Sequence, residues 1–429
     1  MNARELIDRT PINAVNITVI AVCFILNMLD GIDVLVVSFT APAISDEWSL
    51  TGEAMGRVFS AGLFGMMLGA LFLSSIADRI GRRNMMLVCV LVVGLGTTAT
   101  GFITTLNQFI AVRVITGLGI GALLASLTSM ASEYTPVANR NLGISITVGG
   151  YPIGATLGGF IAAWVIPEYG WQTLYFIFGG ITALMFPVVL MMPESIQFLV
   201  QKQPAGALEK LNRIMVRMNH APLTELPAAD EEHASPGVRP LLTEQRRSQT
   251  IKLWIAFCLN FMTLYFLYSW IPKIIVNSGL PLEKGIYTSI ALNIGAFVGV
   301  IVFGYLSDLK GLSRLILIFL WSAAALMIAF SLSTSMLALL LVITFITGLF
   351  LQGGFSGLYS MSARLYPTEI RTTGVGWAIG VGRTGAIIGP YIGGILIDMA
   401  LPTSVNFTLF AIPLVLAGLA AFTIKPPQY

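Results

Sequence analysis

Long apolar stretches alternate with short polar breaks along almost the whole chain. A helix rises 1.5 Å per residue, so about twenty apolar residues cross the roughly 30 Å of bilayer hydrocarbon. Twelve runs are long enough, at approximately 14–42, 54–76, 84–104, 107–130, 142–166 and 172–192, then 250–276, 284–308, 313–333, 336–363, 373–399 and 404–424. A mostly polar stretch after Pro193 separates two groups of six. The pattern predicts an all-α membrane protein with an N-terminal six-helix bundle (1–192), a cytoplasmic linker (193–249) and a C-terminal six-helix bundle (250–429). In the linker, Leu208, Leu211, Met215 and Met218 recur at helical spacing. They predict a short amphipathic helix, either lying on the inner membrane face or packed under the bundle. The PLTELPAADEEHASPGVRP that follows has the composition of a flexible connection.

Composition sharpens this picture. Of 429 residues, 56% are hydrophobic and 10% charged, against about 25% charged in an ordinary soluble domain. That argues for a polytopic membrane protein and against an enzyme with a water-facing surface. Cys23, Cys89 and Cys258 fall inside apolar runs without metal spacing, and His220 and His233 lie in the polar centre. Neither a metal nor a cofactor is expected, nor a nucleic-acid partner. The polar start and the long first run read as a first membrane helix rather than a cleaved signal. With the N-terminus inside, 19 of the 24 Lys and Arg residues fall in cytoplasmic segments, as the positive-inside rule requires. The expected location is the inner cell membrane, with both termini cytoplasmic and the chain a monomer.

The halves repeat each other at an offset near 231 residues. ADRIGRR (77–83) answers to SDLKGLSR (307–314), pairing Asp78 with Asp308, and Arg140 answers to Arg371. Gly154-x-x-x-Gly158 answers to Gly385-x-x-x-Gly389, and FILN (24–27) to FCLN (257–260) at a slightly larger offset. Matching runs point the same way across the membrane, so the duplication is parallel, an architecture secondary transporters use. Features shared by both halves serve the scaffold or gating; features of one half serve the ligand. Asp30 and Asp33 have Thr263 and Phe266 as counterparts, Arg113 has Thr344, and Arg383 has Pro152.

Those four charges lie at membrane depth, where unpaired insertion would cost on the order of 10 kcal/mol in total. Asp30 and Asp33 share a helix face, with Asn27 one turn back. The depths of Asp33 and Arg113 are compatible with an ion pair, and Arg383 lies near the midplane. A carboxyl beside a movable arginine is poised to exchange a proton, as coupling to a proton gradient requires. A permanent tie between the first and fourth helices is the alternative for Arg113. Two arginines point to an anionic substrate, since guanidinium suits a carboxylate. Tyr151, Tyr265, Tyr268 and Trp377 offer faces for a planar ligand, or simply packing and interfacial anchoring. The repeated loops, with Asp78, Arg82, Asp308 and Arg371, read as cytoplasmic gate contacts. Asp398, near an outer helix end, reads as a surface residue.

On these residues the chain resembles the major facilitator superfamily over its whole length. ADRIGRR resembles the signature between helices 2 and 3, RVITGLGIG (113–121) that of helix 4, and PESIQFL (193–199) the motif after helix 6. Asp30-Gly-Ile-Asp33 followed by APAI resembles the aromatic acid:proton symporter family within it. Ile32 stands where that motif has an aromatic residue, and Ser74 where the loop signature has a glycine. The resemblance implies functional roles for Asp30, Asp33, Asp78, Arg113, Asp308, Arg371 and Arg383. The expected function is proton-coupled import of an aromatic or related carboxylate by alternating access, with substrate and protons as the only small partners. A proton-coupled exporter and a non-transporting sensor are the alternatives. Helix 5 lacks the proline of the antiporter motif, which favours import.

Overall fold

The computed structural model describes residues 12–227, 237–331 and 336–424, apart from the side chains of residues 141, 308–310, 331, 368, 369 and 372. Residues 228–236 of the expected flexible connection, His233 among them, lie outside the described residues, as do both ends of the chain. Every regular element described is a helix. Four cross early in the chain: α1 (Ala14–Trp48), α2 (Gly52–Ile80), α3 (Arg82–Thr100) and α4 (Leu106–Glu133). A helical run of 51 residues, Arg140–Leu190, follows. At 1.5 Å per residue it would extend about 77 Å, more than twice the hydrocarbon thickness. Gly170 breaks it with φ at 81°, a backbone conformation that side chains disfavour. The run is therefore two crossings, α5 (140–169) and α6 (171–190). The rest are α7 (Arg247–Asn277), α8 (Leu282–Lys310), α9 (Leu312–Ser331), α10 (Leu337–Leu365), α11 (Thr368–Asp398) and α12 (Thr403–Phe422). With that break counted, the twelve expected spans are present.

Helices in lipid gain little by hiding apolar side chains from an equally apolar solvent, so close packing must hold them together. The repeated glycines provide it. A Cβ on Gly154 of α5 would lie 1.8 Å from the Met28 carbonyl oxygen of α1, and one on Gly385 of α11 would lie 1.9 Å from that of Cys258 on α7. The two halves thus use one device at corresponding places, which explains the repeat in the sequence.

The described residues form two compact units. The first comprises 12–33, 64–154 and 172–227, and the second 34–63, 155–171, 237–331 and 336–424. Parts of α1, α2 and α5 that belong to the first half of the sequence therefore pack with α7 to α12. In the first unit, two short helices follow α6. Ile196–Lys202 begins at Ser195, whose hydroxyl accepts from the Phe198 backbone N–H at 3.1 Å. Ala207–Arg217 buries Ala207, Leu211, Ile214 and Met215, so its apolar face is inside the protein and the packed alternative holds.

Candidate functional site

In the first unit the chemistry gathers on one stretch of α1. Asp33 is 3% exposed and Asp30 4%. Arg113 of α4, equally buried, places Nη1 3.1 Å from Asp33 Oδ2 and donates through Nη2 to the Asp33 carbonyl at 3.4 Å. Thr97 of α3 donates its hydroxyl to Asp33 Oδ1 at 2.5 Å. One carboxylate thus joins three helices, each of its oxygens holding a donor. In a water-poor interior such a pair is hard to break from one side, because the remaining charge loses its compensation. Asp30 lies one turn earlier. The glycine between the acids has a packing reason: a Cβ on Gly31 would sit 2.2 Å from the Tyr151 carbonyl oxygen of α5. Asn27 ties the same two helices, donating from Nδ2 to the carbonyls of Thr147 at 2.9 Å and Val148 at 3.1 Å.

In the first unit Asn27, Asp30 and Asp33 thus lie along one stretch of α1, with Arg113 paired to Asp33 and the Tyr151 backbone packed on Gly31 between the acids. Two of them are otherwise engaged in this structure, Asn27 with the α5 backbone and Arg113 with Asp33. Thr97 was not singled out from the sequence. Its hydroxyl sits in the run TTAT, and threonines in membrane helices ordinarily bond their own backbone, as Thr98 does to Gly94.

The second unit holds the other arginine. Arg383 of α11 is half-buried and makes no hydrogen bond or ion pair among the described residues. Its guanidinium lies within electrostatic reach of Tyr359 on α10. Tyr359 meets Phe257 edge-on at 5.3 Å between ring centres and Phe355 at 5.1 Å. Along α7 the rings continue, Phe261 stacked on Tyr265 at 5.9 Å and Tyr265 edge-on to Tyr268 at 6.2 Å. A cation without an anion beside a train of rings can hold a carboxylate whose other end is flat and apolar. Tyr359, Phe355 and the two α7 phenylalanines went unnoticed in the sequence, because aromatic residues fill apolar helices for packing alone. Trp377 stands apart from the train, stacked on Trp254 at 6.0 Å.

A second cluster in this unit fastens α1 and α2 to α7 and α11. Ser38 donates to the Ser269 carbonyl at 2.9 Å and Ser60 to that of Ile387 at 2.6 Å, while Trp270 of α7 donates to the Pro390 carbonyl of α11 at 2.9 Å and so joins those two helices to each other. Asp398 is exposed, as expected, yet it does more than face water. Its carboxylate accepts from the backbone N–H groups of Gly52 at 2.5 Å and Glu53 at 2.7 Å. These are orphan donors of the first turn of α2, and a negative charge there is favoured by the helix dipole.

The loop residues divide between the units. Arg82 pairs with Glu133 and lies 3.8 Å from Asp78, whose side chain is 67% exposed. Glu133 also accepts from the Ser195 hydroxyl at 2.7 Å, and Glu194 from the backbone N–H groups of Arg83 at 2.9 Å and Ser195 at 2.8 Å. Tyr134 donates to the Glu194 carbonyl at 2.6 Å. Burial, with Glu133 and Glu194 nearby, pushes its hydroxyl well above the usual range and keeps it a donor. The loop signature is thus fastened to the end of α4 and to Pro-Glu-Ser. In the second unit Arg371 is exposed and donates only to the Tyr366 carbonyl, at 3.4 Å. The side chain of Asp308 lies outside the described residues.

Comparison with known proteins identifies the family of the chain. The family profile described as the Major Facilitator Superfamily matches residues 23–320 and 288–429. A gallate transporter of Pseudomonas putida is 32% identical over 98% of this chain and 94% of its own. A 4-hydroxybenzoate transporter of Acinetobacter baylyi is 32% identical over the same shares. A 3-(3-hydroxy-phenyl)propionate transporter of Escherichia coli is 30% identical over 94% of this chain and 93% of its own. Among solved structures, the inward-open xylose transporter XylE of E. coli superposes with a TM-score of 0.74 at 17% identity, covering 96% of each chain. An inward-facing bacterial homologue of the human lysosomal transporter Spinster gives 0.75 at 16% identity, covering 96% of this chain and 98% of that one. At such identities the structural likeness speaks for the fold alone.

Proposed function

The chain belongs to the major facilitator superfamily and, within it, to the aromatic acid:proton symporter family, and from that premise we propose that it imports an aromatic carboxylate together with protons by alternating access. It is a multi-pass membrane transporter and not an enzyme. The observation that carries the proposal is the buried pair of Asp33 and Arg113. As it stands the pair is neutral. A proton on Asp33 removes the negative charge that Arg113 needs, and a substrate carboxylate restores it. Proton and anion therefore favour each other's binding, which is the thermodynamic content of symport. Asp30 and Asp33 are the proton-coupling residues in this reading, and Arg113 a substrate ligand once released.

Arg383 takes a carboxylate directly, having no partner to displace among the described residues. Tyr265 and Tyr268, with Phe261 and Tyr359 beside them, accept an aromatic ring by stacking or edge contact. Tyr151 and Asn27 shape the surroundings of the acids. The relatives are named for gallate, 4-hydroxybenzoate and 3-(3-hydroxy-phenyl)propionate, each a ring bearing a carboxyl. Asp78, Arg82, Asp308 and Arg371 serve gating at the cytoplasmic side. The moving bodies are the six-helix halves 1–192 and 250–429, joined by 193–249, in the inner membrane with both termini cytoplasmic.

Uptake into proteoliposomes tests the reading, with labelled gallate, 4-hydroxybenzoate, benzoate and the hydroxyphenylpropionate, with and without an inward proton gradient. Accumulation of at least one of these acids only under the gradient is the expected result. Equal uptake in its absence defeats proton coupling, outward accumulation makes the protein an exporter, and binding without uptake makes it a sensor.

A further inference from the structure

The end of α6 carries a feature that transport does not use. An open cleft of about 380 Å³ is lined there by Arg83, Lys210, Arg213 and Arg217, with Glu194 and a wall formed by Leu190–Pro193 and Ile214. Lys210, Arg213 and Arg217 recur at helical spacing and are exposed, while the apolar side of their helix is buried. Arg83 is held against the end of α6, donating to the carbonyls of Val189 and Leu190. Glu194, the single acid of the lining, has one oxygen occupied by two backbone N–H groups. Arg213 has only the exposed Glu209, at 3.0 Å, and Lys210 and Arg217 have no acidic partner among the described residues. The cleft therefore presents an excess of positive charge with donors to spare.

A second observation says what fills it. Ile181, Leu184, Val188 and Met191 recur every three or four residues along α6 and all face outward, Leu184 70% and Met191 81% exposed. This apolar stripe runs down α6 and ends at the cleft. Such a stripe faces hydrocarbon in the membrane, and here it leads to the cleft and brings acyl chains beside its charges. A molecule with a phosphate at one end and hydrocarbon at the other uses both. The cleft also lies on the side where the positive-inside bias places the cytoplasm, the anionic face of a membrane.

We infer that this cleft binds the headgroup of an anionic phospholipid, whose acyl chains lie along the outward stripe of α6. Lys210 and Arg217 meet the phosphate from the exposed side of a helix whose apolar side is packed in the protein. Arg83 and Glu194 adjoin the loop that holds Arg82, whereas Lys210 and Arg217 are not among the residues proposed for transport.

The full chain in a mild detergent, titrated with phosphatidylglycerol, phosphatidylcholine or sn-glycerol 3-phosphate, provides the test, with native mass spectrometry reading the bound lipid. Phosphatidylglycerol is expected to bind in preference to phosphatidylcholine, and glycerol phosphate not to compete at matched concentration. The double variant K210Q/R217Q, altered only at exposed positions, is expected to weaken phosphatidylglycerol binding roughly tenfold or more. Equal retention of both lipids overturns the inference, as does an unchanged affinity in the double variant. Full competition by glycerol phosphate makes the cleft a soluble-anion site and overturns it too.

Discussion

α1 and α7 hold corresponding places in the repeat and answer the same structural question in opposite ways. In α7 the slots of Asp30 and Asp33 are filled by Thr263 and Phe266. Thr263 donates to the Phe410 carbonyl of α12 at 2.8 Å, and Phe266 stacks on the Phe410 ring at 3.7 Å, nearly parallel. The counterpart of Arg113, Thr344, donates to Leu340 on its own helix at 2.7 Å. The second half thus satisfies these positions with neutral contacts to neighbouring backbone and rings. The first half instead commits a buried carboxylate to an arginine and a threonine on two other helices. One scaffold thus accommodates either solution at these positions, charged in the first half and neutral in the second. The pair on α1 is a bond whose strength depends on a proton; the contacts on α7 have no such dependence.

That contrast can be broken most decisively at Asp33. D33N is expected to abolish accumulation of substrate against its gradient while exchange of substrate across the membrane continues, measured side by side in proteoliposomes. Normal accumulation in this variant would remove the distinction between the two helices. Next in size, R113A leaves a buried carboxylate without its cation and is expected to lower stability by about 3–5 kcal/mol. Thermal unfolding in detergent measures this. Neutralising both partners in D33N/R113Q is expected to recover most of the stability and none of the coupled transport.

Arg383 extends the comparison to a charge with no partner to lose. R383Q is expected to raise KM about tenfold or more, the worth of a charge-assisted hydrogen bond of roughly 1.5–3 kcal/mol, with unfolding nearly unchanged. A large stability loss with unaltered KM would make Arg383 a structural residue. The smallest effect belongs to α7 itself. T263V is expected to cost about 1 kcal/mol for its lost hydrogen bond and to leave proton-driven accumulation intact. A loss of coupling there would show that the neutral half takes part in the proton step.

How much of this was readable beforehand follows from what each residue stands out against. Charges among apolar residues are conspicuous, so Asp30, Asp33, Arg113 and Arg383 were visible at once. Thr97, Phe355 and Tyr359 were not, because hydroxyls and rings are routine in membrane helices and only tertiary placement gives them neighbours that matter. The twelve crossings were readable from length, including the division of the 51-residue helical run, because polar residues interrupt the hydropathy near Gly170. Asp398 was read correctly as exposed and incompletely as idle. Its partners are backbone N–H groups 346 and 345 residues away in the chain, and backbone donors leave no trace in a sequence. The short helix at 207–217 was foreseen, but its packing against the helix Ile196–Lys202 is not disclosed by its own periodicity.

The fastening of α1 and α2 onto α7 and α11 carries an evolutionary consequence. Ser38 and Ser60 each donate to a main-chain carbonyl, and Asp398 accepts from main-chain amides. Every amino acid supplies that half of the bond except where proline removes the amide. The residues at 269 and 387 can therefore change without removing the acceptor, whereas position 52 is held to glycine, since a Cβ there would lie 2.5 Å from the Gly394 carbonyl oxygen. A lineage can exchange side chains elsewhere in the helices while inheriting this fastening, because the acceptor half of each serine bond comes with the main chain.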